Sequence, residues 1–452
     1  MIAFTPVSTS NLGFADPMVS ILLTVLALCV APIPTMFLAG WVRKRIFDNT
    51  LGSRRGLYRI LRAASSLFPL AVFAGVITLC GWGRLVDNFL SIDDLIPLGW
   101  MAWCPPLALG LLVDEAFRFL PFLVMLLMTW VPLHRVDVLV RRGRWSLSDY
   151  VVFHLRQYVL FLLVPFFTML LVENVWNVLP PALQGQLYGS WVVYVLTGAL
   201  ISLALICLPL LLRFVWKTRP LPDGPLRRRL EDLITRTHLR RRQILLWDTF
   251  GGQMINACVT GFVGITRYIL ITDTLIEALE PDEIVAVFAH EIAHARRHHI
   301  VYYVMFAVGF LPLLALPEIT VAPGAIGVVF NLMWVVTALV LYWGGLFGYL
   351  SRRMELEADL DAATVCGGVF DLVNALEKIS QTAGKPRSAG SWRHFSIRRR
   401  VEFLTDTVGN PAAARTLRRQ VRLLKTLCIV IAAVTLLLGA FFRDILETWV
   451  LV

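Results

Sequence analysis

Residues 281–294 read P-D-E-I-V-A-V-F-A-H-E-I-A-H, and their spacing decides much of what the chain must be. Pro281 suits a first helical turn, where a missing N–H costs nothing. Asp282 and Glu283 complement the positive end of the helix dipole. Ile284, Val287, Phe288 and Ile292 recur at helical spacing and give an apolar face. On such a helix His290 and His294 are one turn apart and share a face. Two imidazoles held this way can grip one zinc ion from the same side. Glu291, beside the first, is placed to take a proton from water on that ion. The pattern points to metal-assisted hydrolysis, most often of peptide bonds. The bland alternative is a pair of histidines capping polar groups on an ordinary helix; the helical context and the acidic residues downstream weigh against it.

Composition places this chemistry in a membrane. Of the 452 residues 57% are hydrophobic and 16% charged, with mean hydropathy +0.70. Soluble domains carry about 25% charged residues. Repeated apolar runs of about 20 residues are long enough to cross a bilayer. The net charge of +11 does not argue for nucleic acid, because Lys and Arg sit in short loops beside the apolar runs. Seven scattered cysteines, with no Cys-x-x-Cys pair, predict neither a disulfide framework nor a thiolate metal site. No cleavable leader is expected, since residues 1–16 lack Lys and Arg and the apolar run after them is too long.

Loop charge predicts about eight spans. The first covers 18–41, kinked at Pro32 and Pro34, and the basic loop 43–62 after it is expected to be cytoplasmic. Further spans are expected at 63–82, 116–133, 150–172 and 191–212, with 95–113 re-entrant or interfacial. His154 and Arg156 are expected to snorkel to the interface, with lining a cavity as the alternative. This N-terminal membrane region ends near 216. A polar segment, 217–299, then carries H-E-I-A-H. A transmembrane hairpin, 300–349, returns the chain to the same side for a second polar segment, 350–425, and a last span lies in 426–452. Both polar segments therefore face one compartment and can build one site.

A catalytic zinc needs a third protein ligand and an open position. The second polar segment begins S-R-R-M-E-L-E-A-D-L-D-A-A, residues 351–363. Glu355 and Asp359 are four apart and share a helix face. Glu355 can ligate while Asp359 accepts the second N–H of a ligand histidine. Glu357 is a rival ligand on spacing alone.

H-E-I-A-H on a helix running into a membrane hairpin, followed by R-x-E-x-x-A-D (Arg353, Glu355, Ala358, Asp359), resembles the integral-membrane zinc metallopeptidase family of HtpX and the CAAX prenyl proteases. The resemblance implies Glu355 as third ligand. His298, four past His294, sits where the family often places a polar residue and is read as a helix-end or interfacial histidine rather than a ligand. N-A-C-V-T-G, 256–261, is similar to the family's Asn-Ala-x-x-x-Gly strand, which implies substrate binding at Asn256 and Ala257. An edge strand there would hold an extended peptide by main-chain hydrogen bonds. H-F-S-I-R-R-R-V, 394–401, resembles the family's His-Pro-Ser-x-x-x-Arg-Ile, which implies that His394 and Arg400 bind the substrate backbone or steady the oxyanion. Phe395 stands where the family has proline, so the local turn must be held by other means.

The expectation is thus a mostly α, polytopic membrane protein. Its zincin-type catalytic domain, a metal helix with a small β-sheet, is split by the hairpin and lies at the cytoplasmic face of what is expected to be a bacterial inner membrane. Its expected partners are the bilayer and a peptide or membrane-protein substrate, and its cofactor one zinc per chain. A membrane scaffold or transporter retaining a zinc-site fold is the reading from another class, suited by the polar groups at 114–118.

Overall fold

The computed structural model describes residues 17–47, 54–78, 80–89, 109–141, 145–157, 180–187, 191–249, 254–313, 325–382 and 386–450. Most of the re-entrant stretch, the 150–172 span beyond residue 157 and the hairpin turn with Pro317 and Pro323 lie outside them. The chain divides between Val193 and Tyr194 into two units.

The first unit is helical: α1 (Pro17–Val30), α2 (Pro32–Phe47), α3 (Arg54–Thr78), α4 (Trp82–Phe89), α5 (Leu109–Arg141), α6 (147–157) and α7 (Pro181–Leu187). The first apolar run breaks at Ala31, just before Pro32, which cannot supply the N–H that a continuous helix needs. α5 includes the expected 116–133 span and runs past it at both ends: it starts at Leu109, inside the stretch expected to be re-entrant, so Asp114, Glu115 and Arg118 fall within one continuous helix. His154 also differs. It is buried among Trp130, Trp145, Tyr150 and Phe153 instead of reaching an interface, with Nδ1 2.9 Å from the Tyr150 carbonyl.

The second unit opens within α8 (Trp191–Val215) and continues with a four-stranded sheet of β1 (Thr218–Pro220), β2 (Gln243–Trp247), β3 (Ala257–Thr260) and β4 (Tyr268–Thr272). The order is β1-β2-β4-β3, with β2 and β4 parallel and both outer strands antiparallel to their neighbours. The central strands read Q-I-L-L-W and Y-I-L-I-T, the near-continuous apolar runs of strands covered on both faces. α9 (Pro225–Arg236), α10 (Asp273–Ala278) and α11 (Pro281–Arg296) complete this part. α12 (His299–Val308) and α13 (Ala325–Ala338) form the hairpin, whose second arm continues through a π-helical stretch, Leu339–Phe347, into α14 (Gly348–Cys366). α15 (Phe370–Thr382), α16 (Ile397–Gly409) and the long α17 (Pro411–Val450) follow. Sheet, α11 and α15 share one apolar core around Leu230, Ile269, Phe288 and Ala375. A second core, around Phe306, Tyr342, Met354 and Val421, joins α12, α14 and α17.

Four helices among the described residues are long and apolar enough to span a membrane: Pro17–Arg45, Ala116–Val140, Met333–Cys366 and Pro411–Leu438. Phe68–Ile77, Gly198–Arg213 and His299–Leu313 are shorter apolar pieces at three further expected spans. Leu22, Phe37, Met333, Leu341, Leu436 and Leu437 are all exposed on these helices, a surface that suits lipid better than water. The protein is a multi-pass membrane protein.

Candidate metal and catalytic site

α11 begins with a capping box in which Glu280 and Glu283 bond each other's backbone N–H groups, with Pro281 next in line. Lys378 of α15 neutralises the buried Glu283 at 2.8 Å. From there Ile284, Phe288 and Ile292 face the core, and α11 lies against α14. α14 is buried on every side from Met354 to Ala363, so four carboxyl groups (Glu355, Glu357, Asp359 and Asp361) enter the interior on one helix. Buried carboxylates persist only when paired. The partners these four find define the site.

Glu355 takes the two rings. His290 Nε2 and His294 Nε2 are 3.2 Å apart, and they lie 3.8 and 3.5 Å from Glu355 Oε2 and Oε1. Bonds of about 2.0–2.1 Å in a tetrahedral site separate ligand atoms by about 3.4 Å. The three spacings bracket that value, so this donor set fits a metal ion. Burial, aided by the nearby His290, lowers His294 well below its ordinary range, which keeps the ring neutral as a ligand must be. For His290 burial acts the same way, but the charge of Asp359 outweighs it and raises the ring. Burial pushes Glu291 up to about 7, with His290 opposing and Glu355 reinforcing the shift.

Asp359 lies behind the first ring, with Oδ1 2.8 Å from His290 Nδ1. Arg400 grips the same carboxylate, Nε donating to Oδ2 at 2.8 Å and Nη2 to Oδ1. Asp361 is held by Arg297. Glu357, the rival ligand on spacing, is turned away from the two rings; His299 Nε2 and Lys425 Nζ meet its Oε2 at 2.8 and 2.7 Å. His298 is not at the site. It is exposed in the left-handed conformation, φ 55°, between α11 and α12.

A cavity of about 550 Å³ opens over these groups, lined by Glu291, Tyr303 and residues of β3. β3 is an outer strand, hydrogen-bonded only to β4 among the described residues. Ala257 is buried in register with Ile271, while the Asn256 side chain is exposed to the cavity. A backbone hydrogen bond from Val259 reaches Glu291. Gly261 ends the strand at φ 95°, where an added Cβ would lie 2.9 Å from the Thr266 carbonyl. His394 also lines the cavity, with Nδ1 3.0 Å from Glu355 Oε2. Its turn closes without proline: Ser391 N–H donates to the His394 carbonyl, and His394 N–H to Ser391 Oγ. Phe395 is clamped between the guanidinium groups of Arg352 and Arg399. Gly348 lets this turn approach α14, since a Cβ there would stand 2.6 Å from the Trp392 carbonyl.

The structure thus gathers His290, Glu291, His294, Glu355, Asp359, His394, Arg400, Asn256 and Ala257 around one cavity. The sequence reading missed His299, Lys425 and Gly348. His299 is five residues past His294 and off its face on a continuous helix; with no Gly or Pro at 297–298, nothing signalled the break. Lys425 looked like an ordinary basic flank of an apolar run.

Residues 220–433 match the model of peptidase family M48. A 119-residue stretch is 33% identical to CAAX prenyl protease 1 of Saccharomyces cerevisiae, covering 26% of each chain. A 182-residue stretch is 31% identical to CAAX prenyl protease 1 homolog of Arabidopsis thaliana, covering 36% of this chain and 42% of that one. The chain thus matches less than half the length of either relative. Its fold is similar to the crystal structure of S. mikatae Ste24p, with TM-score 0.50 and 17% identity over 85% of this chain and 98% of the other. The family resemblance carried by H-E-I-A-H and R-x-E-x-x-A-D is therefore borne out.

Proposed function

From a multi-pass membrane protein whose residues 220–433 carry a peptidase family M48 domain, we propose a zinc-dependent endopeptidase. His290, His294 and Glu355 would hold one zinc ion per chain. Zinc in a three-ligand site supplies a Lewis acid that acidifies water and polarises a carbonyl. Glu291 accepts the proton of the attacking water and delivers it to the leaving amine. Asp359, braced by Arg400, holds the His290 ring in place. The substrate lies extended along β3, bonded to the backbone at Ala257; both main-chain groups of Asn256 are taken by Thr272, so Asn256 offers its side-chain amide on the substrate's flank. His394 and the outer edge of Arg400 give donors to the substrate backbone and to the developing oxyanion.

The observation that carries this reading is the convergence of two Nε2 atoms and a carboxylate in the same cavity as Glu291. The site faces the cytoplasm, because the flanking loops are rich in Lys and Arg. The substrates are membrane-associated proteins or lipidated peptides. The names of the two relatives put prenylated peptides first for testing.

The test is elemental zinc on detergent-purified protein together with peptide and casein cleavage. We expect one zinc per chain, weakened by Glu355→Ala, and turnover lowered about 10²- to 10⁴-fold by Glu291→Gln with zinc retained. Cleavage that survives Glu291→Gln, after contaminating protease is excluded, overturns the assignment. A folded protein that takes up no zinc, with solute flux into proteoliposomes, would favour a transporter.

A further inference from the structure

The two ligand rings are backed in different ways. Behind His290 stands a carboxylate, Asp359, held by a cation, Arg400. Behind His294 stands another imidazole: His299 Nδ1 is 2.9 Å from His294 Nδ1, with the rings nearly perpendicular. The other nitrogen of His299 is 2.8 Å from Glu357 Oε2, and Lys425 Nζ is 2.7 Å from that same oxygen. Lys425 lies on α17, at the end of its basic first part (Arg415, Arg418, Arg419, Arg422) and just before the apolar run of the Pro411–Leu438 helix, and also donates to the Arg297 carbonyl.

Hydrogen-bond chemistry gives this chain one direction. Lys425 can only donate, so Glu357 is an ionised acceptor. Its acceptor oxygen requires Nε2–H on His299. A neutral His299 then presents a bare Nδ1, which requires Nδ1–H on His294. That leaves the lone pair of His294 at Nε2, the atom facing His290 and Glu355. We propose that His299 is a positioning residue for His294, and that Lys425 and Glu357 orient it, so that a membrane-spanning helix takes part in holding the metal. The inference rests on the metal site proposed above.

The experiment compares zinc release to a competing chelator, and the visible spectrum of the Co²⁺-loaded protein, in wild type, His299→Leu, His299→Gln and Lys425→Met. Size-exclusion profile and metal-free melting temperature serve as folding controls. Glutamine can accept from His294 and donate to Glu357; leucine can do neither. We expect His299→Leu to weaken zinc about 10- to 100-fold and to shift the cobalt bands. His299→Gln should stay within a few-fold of wild type. Lys425→Met should weaken zinc, but add little in the His299→Leu background. Folded His299→Leu that holds zinc as tightly as wild type overturns the inference. So does His299→Gln no better than leucine, or full additivity with Lys425→Met. Wild type that binds no metal would overturn the parent reading as well, which separates the two failures.

Discussion

Glu291 sits where burial favours its protonated form, and this has a consequence besides catalysis. In the metal-free protein its carboxyl is raised from 4.5 to about 7. The folded state therefore binds a proton that the unfolded chain gives up between these values. The stability this contributes is present below about pH 4.5 and is lost as pH rises through about 7. Glu291→Gln, which cannot ionise, is expected to leave the metal-free protein more stable than wild type at pH 8, by up to about 3 kcal/mol. The gap should close towards pH 5. Thermal melting of chelator-treated protein at the two pH values measures it; equal differences at both would remove Glu291 as the titrating group. At this scale the sequence was most informative. Histidines four apart and a glutamate between them need only a helix to share a face, and a helix was evident from the apolar period. Asp359 was legible for the same reason. Arg400 was legible as a residue of the site, but its grip on Asp359 was not, because nothing in the chain states that α16 crosses α14 at that point.

At the scale of elements, the turn at 391–394 and the start of α14 depend on each other. Arg352 donates to the Trp392 carbonyl at 2.6 Å, and Gly348 leaves room for that carbonyl. Backbone cannot yield as a flexible side chain does, so a methyl at 348 has to move the turn that carries His394. Gly348→Ala is expected to lower kcat about tenfold or more while zinc content stays at the wild-type level. Paired kinetics and elemental analysis would check this, and an unchanged kcat would mean that the aim of His394 does not matter. Phe395 belongs to the same element. A proline was missing from the expected pattern, and the turn is held instead by Ser391 and by two guanidinium groups stacked on the ring. The break between α11 and α12 is another event at this scale. His298 adopts φ 55° with no glycine to invite it, and the bend brings His299 back onto His294. Local propensity favours continuing the helix there; packing in the second core overrides it.

At the scale of the molecule, the candidate ligands come from two segments separated by the hairpin of α12 and α13, the groups behind them come from α14 and α12, and the cations that brace those groups come from α16 and α17. A metal that binds only the assembled site stabilises the whole second unit by mass action. Saturating zinc, at about 100 times its dissociation constant, should add about 2.7 kcal/mol and raise the melting temperature of the chelator-treated protein. Glu355→Ala should abolish most of that rise. An increase of the same size in the variant would place the metal elsewhere. The chain by itself determined the membrane setting, the metal helix, the acidic helix and the apolar runs that separate them. Each is a periodic or compositional property of a contiguous segment, decided by local geometry and by transfer of side chains out of water. The tertiary structure alone decided which of the four buried carboxylates faces the rings, which cation answers each of the others, and that Lys425 of a membrane helix reaches the site. Those outcomes depend on how distant segments cross, and in a buried interior each carboxylate settles on whichever partner the crossing brings within hydrogen-bond reach.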